Sequence, residues 1–184
     1  MEKYSISATH LNVDLSFTPY PVKDLDSFVK SETLELIKNP SKWIEEIARW
    51  IRFIQVSSEL KCPDIVQNAS QFSMGLELTN DKKILDLNHV WRGQSKSTDV
   101  LSFPMIDETF FGVSNECIEL GDIVISVPTA IRQAKDHNID LFRELRWLVT
   151  HGLLHLLGWD HSDEEGLNKM LSIQEQLLDI RGIL

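Results

Sequence analysis

The chain has 184 residues, 42% of them hydrophobic and 25% charged, enough for one core and read here as a single domain over residues 1–184. Two cysteines, Cys62 and Cys117, are too few for a disulfide scaffold or a cysteine-based zinc site. No run approaches the roughly 18 apolar residues of a membrane span, so the expected setting is the cytoplasm, with no membrane partner. A net charge of −10 and a pI near 5.0 run against a protein that coats itself with nucleic acid, unless its basic groups are concentrated locally.

The first residues, Met1-Glu2-Lys3-Tyr4-Ser5, are polar and lack the apolar run of a signal peptide. Leu11 to Phe17 alternates apolar and polar, the pattern of a half-buried strand. A short helix is expected within Asp24 to Ile37. A longer one follows from Ser41 as N-cap, with Trp43, Ile44, Ile47, Trp50, Ile51 and Ile54 at helical spacing. Ser70 to Leu78 alternates as a strand, and Asn80 caps a helix carrying Ile84, Leu85, Leu87, Val90 and Trp91. Thr98 to Phe103 reads as a strand stopped by Pro104, and the acidic segment Asp107 to Glu119 as a surface loop. Gly121 to Val127 is strand-like, and Pro128 suits the first turn of a helix ending near His137-Asn138. Leu141 to Leu157 is strongly helical and is stopped by Gly158 in the manner of a C′ glycine. Ser162 with Glu165 makes a capping box for a last amphipathic helix through Leu178. Strands and helices neither alternate strictly nor segregate, so the pattern predicts an α+β fold with a small mixed sheet.

Chemistry concentrates in Thr150-His151-Gly152-Leu153-Leu154-His155-Leu156-Leu157-Gly158-Trp159-Asp160-His161. His151 and His155 are four apart on a helix, so both imidazoles reach one ion from one face. Gly158 lets the chain turn back and return His161 as a third ligand. Three histidines leave a fourth tetrahedral position open, the pattern of a catalytic zinc site with one Zn²⁺ per chain. Three ligands from six histidines within eleven residues outweigh the alternative of two hydrogen-bonded core histidines and one surface histidine. The metal-binding helix is metalloprotease-like, but Gly152 stands where the H-E-x-x-H motif carries its glutamate base. A glycine inside a helix costs about 1 kcal/mol relative to alanine, which suggests that something, such as substrate, needs that space.

Three blocks of the sequence resemble the bacterial YbeY-type endoribonucleases, also described as ribosomal RNA maturation factors. They are Leu87-Asn88-His89-Val90-Trp91-Arg92-Gly93 running into Ser97-Thr98-Asp99-Val100-Leu101-Ser102-Phe103-Pro104, then Leu120-Gly121-Asp122-Ile123-Val124-Ile125, then the histidine block, which matches H-G-x-L-H-L-x-G-x-D-H. Together they span roughly residues 75 to 165; the N-terminal part matches loosely, and the 107–119 loop carries no family signature. The resemblance implies zinc on His151, His155 and His161, a small α+β fold, and single-strand-specific RNA cleavage. It also implies work on the 3′ end of 16S ribosomal RNA, ribosome quality control, and partners in the small ribosomal subunit or its associated proteins. The family's functional arginine falls on Arg92, which with the three histidines makes up the expected catalytic set.

Arg92 closes its helix and could hold a phosphate bidentately, or be a solvated arginine favourable to the macrodipole. Lys82, Lys83, Lys96, Arg132, Lys135, Arg143 and Arg146 could form a basic patch, although most read as ordinary solvated residues. Glu144 could support a ligand histidine or make a surface salt bridge, and Asp160 could orient His161 or simply form the turn. Trp91, Trp147 and Trp159 read as core rather than as base-stacking platforms; both cysteines read as structural or incidental. The alternatives to a nuclease are a metal-dependent peptidase or amidase, and a non-catalytic ribosome-assembly factor with a structural zinc.

Overall fold

The computed structural model describes residues 2–8, 11–25, 29–57, 60, 63–106, 117–161 and 163–179. Cys62, most of the 107–119 loop and Ser162, and with it the capping box, lie outside the described residues.

A five-stranded mixed sheet runs in the order β1-β2-β3-β5-β4. Its strands are β1 (Glu2–Ala8), β2 (Leu11–Thr18), β3 (Gln71–Thr79), β4 (Val100–Pro104) and β5 (Ile118–Ser126). β1 pairs antiparallel with β2, β2–β3 and β3–β5 are parallel, and β4 closes the far edge antiparallel to β5. The helices are α1 (Ser31–Lys38), α2 (Pro40–Val56), the one-turn α3 (Asp64–Gln67), α4 (Asp81–Arg92), α5 (Val127–Asp136), α6 (Leu141–Leu156) and α7 (Glu164–Asp179). The α+β expectation and its mixed sheet hold.

Three local differences have simple causes. Asn39, not Ser41, caps α2: its Oδ1 accepts the Ser41 amide at 3.0 Å, and Pro40 fills the first turn, where its missing N–H costs nothing. The short helix expected within Asp24 to Ile37 is α1, which begins only at Ser31, and a 3-10 turn at Val22–Asp24 precedes it. β1 and α3 were not anticipated. β1 carries a weak Tyr4-Ile6-Ala8 alternation among polar residues, and its strand character comes from pairing with β2.

The two faces of the sheet are covered unequally. α2, α6 and α7 build the main core on one face: Val13, Leu15, Leu76, Ile123 and Ile125 meet Trp43, Trp50, Leu145, Leu153 and Leu177. Trp50 Nε1 donates to the Leu177 carbonyl at 3.0 Å, fastening α2 to α7. Against the other face packs α4, whose Ile84 forms a small satellite cluster with Leu101 and Val124.

Asn80 caps α4 as expected, and Asp81 in its first turn accepts from Ser126, Thr129 and Arg132, which ties α4 to the start of α5. The Asp99 carboxylate accepts from Thr98, Val100 and Gln133. Burial works to raise its pKa, but these hydrogen bonds outweigh it and hold the group below the usual value, so Asp99 staples β4 to α5 as an anion.

The β3–β5 register shifts at Ser73/Met74, and Gly121 there has φ +115°. A Cβ on Gly121 would stand 2.0 Å from the Phe103 carbonyl oxygen, which is backbone of the neighbouring strand and cannot swing away. Gly121→Ala is therefore expected to cost about 2–4 kcal/mol and to lower the melting temperature by roughly 5–15 °C. Thermal denaturation followed by circular dichroism checks this, and an unchanged transition would overturn the account of the β4–β5 approach.

Candidate metal centre

α6 begins at the Asp140 N-cap, whose Oδ1 accepts the Arg143 amide at 2.9 Å, and runs with Leu145, Leu148, Val149, Leu153, Leu154 and Leu156 buried. Its last two turns carry His151 and His155 side by side. Gly158, at φ +85°, reverses the chain, and the Trp159 amide closes the turn on the Leu154 carbonyl at 2.9 Å. Asp160 then accepts the His161 amide at 2.8 Å, which makes it the turn residue that fixes the backbone under the third histidine. The ring centroids of His155 and His161 lie 5.3 Å apart, and one nitrogen of each of the three rings falls within 4.8 Å of the others. All three rings are half-buried, and no acidic residue joins the cluster among the described residues.

Two details show that this donor set fits a divalent ion. First, Nε2 of His151 and Nε2 of His155 are 3.2 Å apart. Two nitrogens bound to a tetrahedral zinc at about 2.0–2.1 Å would stand about 3.3 Å apart. Second, the tautomer of His151 is set from behind. Gln174, fully buried on α7, donates its amide N–H to the Trp147 carbonyl at 3.2 Å, which leaves its Oε1 to accept from His151 Nδ1 at 3.1 Å. Nδ1 must carry the proton, so Nε2 presents its lone pair toward His155. Burial, then the neighbouring His151, push the His155 pKa below 6.5, so this ring stays neutral and able to ligate. Two neutral nitrogens this close repel unless a proton or a cation lies between them.

Gln174 was missed by the sequence reading. Its only signal is a polar residue on the apolar stripe of α7, next to Ile173 and between Met170 and Leu177.

Gly152 has a different reason from the one expected. A Cβ there would meet three atoms of the fully buried Ile123 side chain at 3.0–3.1 Å, so the space that the glycine frees is occupied by β5 and not left for substrate. Glu144 supports no ligand histidine. It is 3% exposed and approaches His137 Nδ1 at 3.9 Å, and burial raises its pKa.

The basic set does not gather into one patch. Lys83 pairs with Glu77, Arg132 with Asp81, Arg143 with Glu175 and Arg146 with Glu46. Trp147 and Trp159 pack against the core as expected, but Trp91, in the last turn of α4, is 67% exposed and meets the sheet through Phe103 of β4 beside an open cavity.

Arg92 is set by the last turn of α4, where Gly93 at φ +65° caps the helix and Asn88 Nδ2 holds the Lys96 carbonyl at 2.8 Å. It lines a cavity of about 680 Å³ between α4 and the β3–β5–β4 floor, with Lys83, Trp91, Phe103 and Asp122. None of the three histidines lines that cavity. His151 and His155 stand on α6, which packs on β4 and β5 from the main-core face, and His161 sits in the turn that follows it. The two groups thus flank the β4 edge.

Comparison with known proteins adds independent information. The family model described as Endoribonuclease YbeY matches residues 31–182. An Endoribonuclease YbeY of Prochlorococcus marinus (strain NATL2A) is 82% identical over 184 residues, covering 100% of both chains. Another, of Synechococcus sp. (strain CC9902), is 50% identical over 140 residues, 76% of this chain and 78% of that one. The solution structure of a Thermotoga maritima protein aligns with a TM-score of 0.53 at 20% identity, covering 90% of this chain and 87% of that one, and shows the shared fold.

Elemental mass spectrometry is expected to find about one zinc per wild-type chain and none in His155→Ala; metal-free wild type after zinc loading would refute the ligand assignment. Gln174→Ala is expected to keep the stoichiometry but to weaken zinc roughly 10–100-fold in a chelator competition, since it frees the His151 ring. The folded chain resists protonating His155 and the unfolded chain does not, so the metal-free protein should lose stability as pH falls through 6.5. Zinc should steepen this loss, because protons compete for the same nitrogens. A melting temperature flat between pH 7.5 and 5.5 in both forms would contradict this.

Proposed function

The chain belongs to the YbeY endoribonuclease family, and from that footing we propose that it is a zinc-dependent, single-strand-specific endoribonuclease. Its proposed task is maturing the 3′ end of 16S ribosomal RNA and ribosome quality control, in the cytoplasm and as a single domain. Its partners would be ribosomal RNA and the small ribosomal subunit or its associated proteins. No helix among the described residues is long and apolar enough to cross a membrane.

The observation that carries the metal dependence is the His151–His155 Nε2 pair at 3.2 Å with Gln174 fixing the tautomer behind it. His151, His155 and His161 would hold the ion. A bound divalent ion supplies Lewis acidity, lowering the pKa of water or polarising a phosphoryl oxygen.

Arg92 would take the phosphate. Its guanidinium offers paired N–H donors to two phosphate oxygens, and its position in the last turn of α4 makes it a fixed rather than a wandering charge. Anchored there, the phosphate would position the strand that continues to the metal centre.

A peptidase reading has less support. Gly152 stands where the peptidase glutamate would, Ile123 fills the space beside it, and no acidic group among the described residues joins the histidines. The RNA 2′-OH remains a candidate nucleophile that would need no protein carboxylate.

Purified wild type is expected to cleave an unstructured RNA and to spare the same sequence in a duplex and casein. Arg92→Ala should retain its zinc yet cleave about 10²–10³-fold more slowly. His155→Ala should be inactive. Activity untouched by His155→Ala, or by full zinc removal, would sink the proposal; a protein that sediments with small ribosomal subunits but never turns over RNA would point to a non-catalytic assembly role instead.

A further inference from the structure

The cavity beside Arg92 holds more than a phosphate-binding arginine. Its lining includes two exposed large apolar groups, Trp91 at 67% and Met105 at 60%. Trp91 is held edge-on against Phe103 of β4, with ring centroids 5.8 Å apart, so it is braced although exposed. An exposed, braced indole beside an arginine is costly to leave in water, and it suits a flat aromatic ligand that carries a phosphate.

The floor adds polarity of one kind. Gly75 of β3 and Asp122 of β5 are register partners, and a Cβ on Gly75 would stand 2.0 Å from Asp122 Oδ1, so the glycine leaves the floor clear for that carboxyl group. Glu77 lies nearby but is tied to Lys83 through both carboxylate oxygens. No described residue donates a hydrogen bond to Asp122, and burial together with Glu119 and Glu77 raises its pKa. Asp122 is exposed to the cavity, so among the described residues its carboxyl group is left open to a ligand donor.

Resting on the endoribonuclease reading above, we propose that this cavity is a subsite for one unpaired nucleotide of the RNA, with its base stacked on Trp91, its amino-bearing edge on Asp122 and its phosphate on Arg92. A carboxylate selects for adjacent N–H donors. Guanine offers two, at N1 and its exocyclic amino group, whereas uracil turns carbonyl oxygens toward a carboxylate on either side of its single N–H. The subsite therefore favours guanine over uracil. A volume of about 680 Å³ falls within the ordinary range for a small-ligand pocket and accommodates a nucleotide. Because Arg92 and the histidines flank the β4 edge, an RNA strand seated here would pass around that edge to reach the metal centre.

The test is equilibrium binding, by fluorescence anisotropy, of 5′-labelled RNA pentanucleotides, all-uridine or with one central guanosine, to zinc-loaded protein under conditions where the label stays uncleaved and to the inactive His155→Ala, in which the Trp91 and Asp122 variants are also made. Trp91→Ala is expected to weaken both oligonucleotides about 5- to 150-fold, with Trp91→Phe restoring most of the loss. Asp122→Asn should abolish the preference for the guanosine oligomer while leaving all-uridine binding unchanged. His155→Ala should retain both the Trp91 dependence and the guanosine preference, which separates this subsite from the metal reading: a protein without zinc or turnover could still pass this test, and an active nuclease could fail it. Folding of each variant is checked by its thermal transition. Unchanged oligonucleotide affinity in a folded Trp91→Ala would overturn the proposal, as would equal affinity of wild type for the two oligonucleotides. If Trp91→Ala bound RNA normally but lost association with small ribosomal subunits, the face would be a protein-docking surface and the subsite would be refuted.

Discussion

The metal centre depends on how closely α6 lies on β5. Ile123 is fully buried and its side chain fills the place where Gly152 would carry a Cβ. That contact sets the depth of the helix on the sheet between the two ligand histidines. The helix interior forgoes about 1 kcal/mol of propensity at Gly152, and the close packing of two apolar surfaces offsets it. Any larger residue would push α6 outward and move both imidazoles with it.

The second constraint comes from behind. Gln174 is the buried polar group that converts a histidine pair into a ligand pair, because one amide is satisfied at both ends: its N–H by Trp147 and its oxygen by His151. A buried amide with both ends paired is held in orientation, and through it α7 acts on the ring chemistry of α6. Ligands supplied by the helix and its following turn, with an outer partner on a separate helix, make a site whose geometry follows the packing of the whole main-core face.

The sheet separates chemistry by face. The main-core face carries α6 with His151 and His155 and the turn that brings in His161, while the thinly covered face carries α4, with Arg92, Trp91 and the carboxyl-bearing floor. An acidic chain of net charge −10 need not be basic overall to meet RNA. Lys83, Arg132, Arg143 and Arg146 are each paired with a carboxylate, whereas Arg92 stands on a helix end against a cavity. Local placement, not net charge, decides where a phosphate can dock.

The histidine trio, the stop at Gly158, the α4 cap at Asn80 and the α2 apolar stripe were all legible in the sequence, because each rests on residues within a turn or two of one another. Local spacing fixes helical faces and caps through backbone geometry alone. What lay beyond the sequence was long-range. β1 is a strand because β2 pairs with it, and Gly152 is a glycine because Ile123 lies against it. Trp91 is exposed because the last turn of α4 lies over an open cavity rather than over packed sheet. Gln174 matters because α7 folds back onto α6. Apolar periodicity can say that a helix has a buried face, but the identity of the atoms across that face depends on contacts between distant segments, which no local pattern encodes.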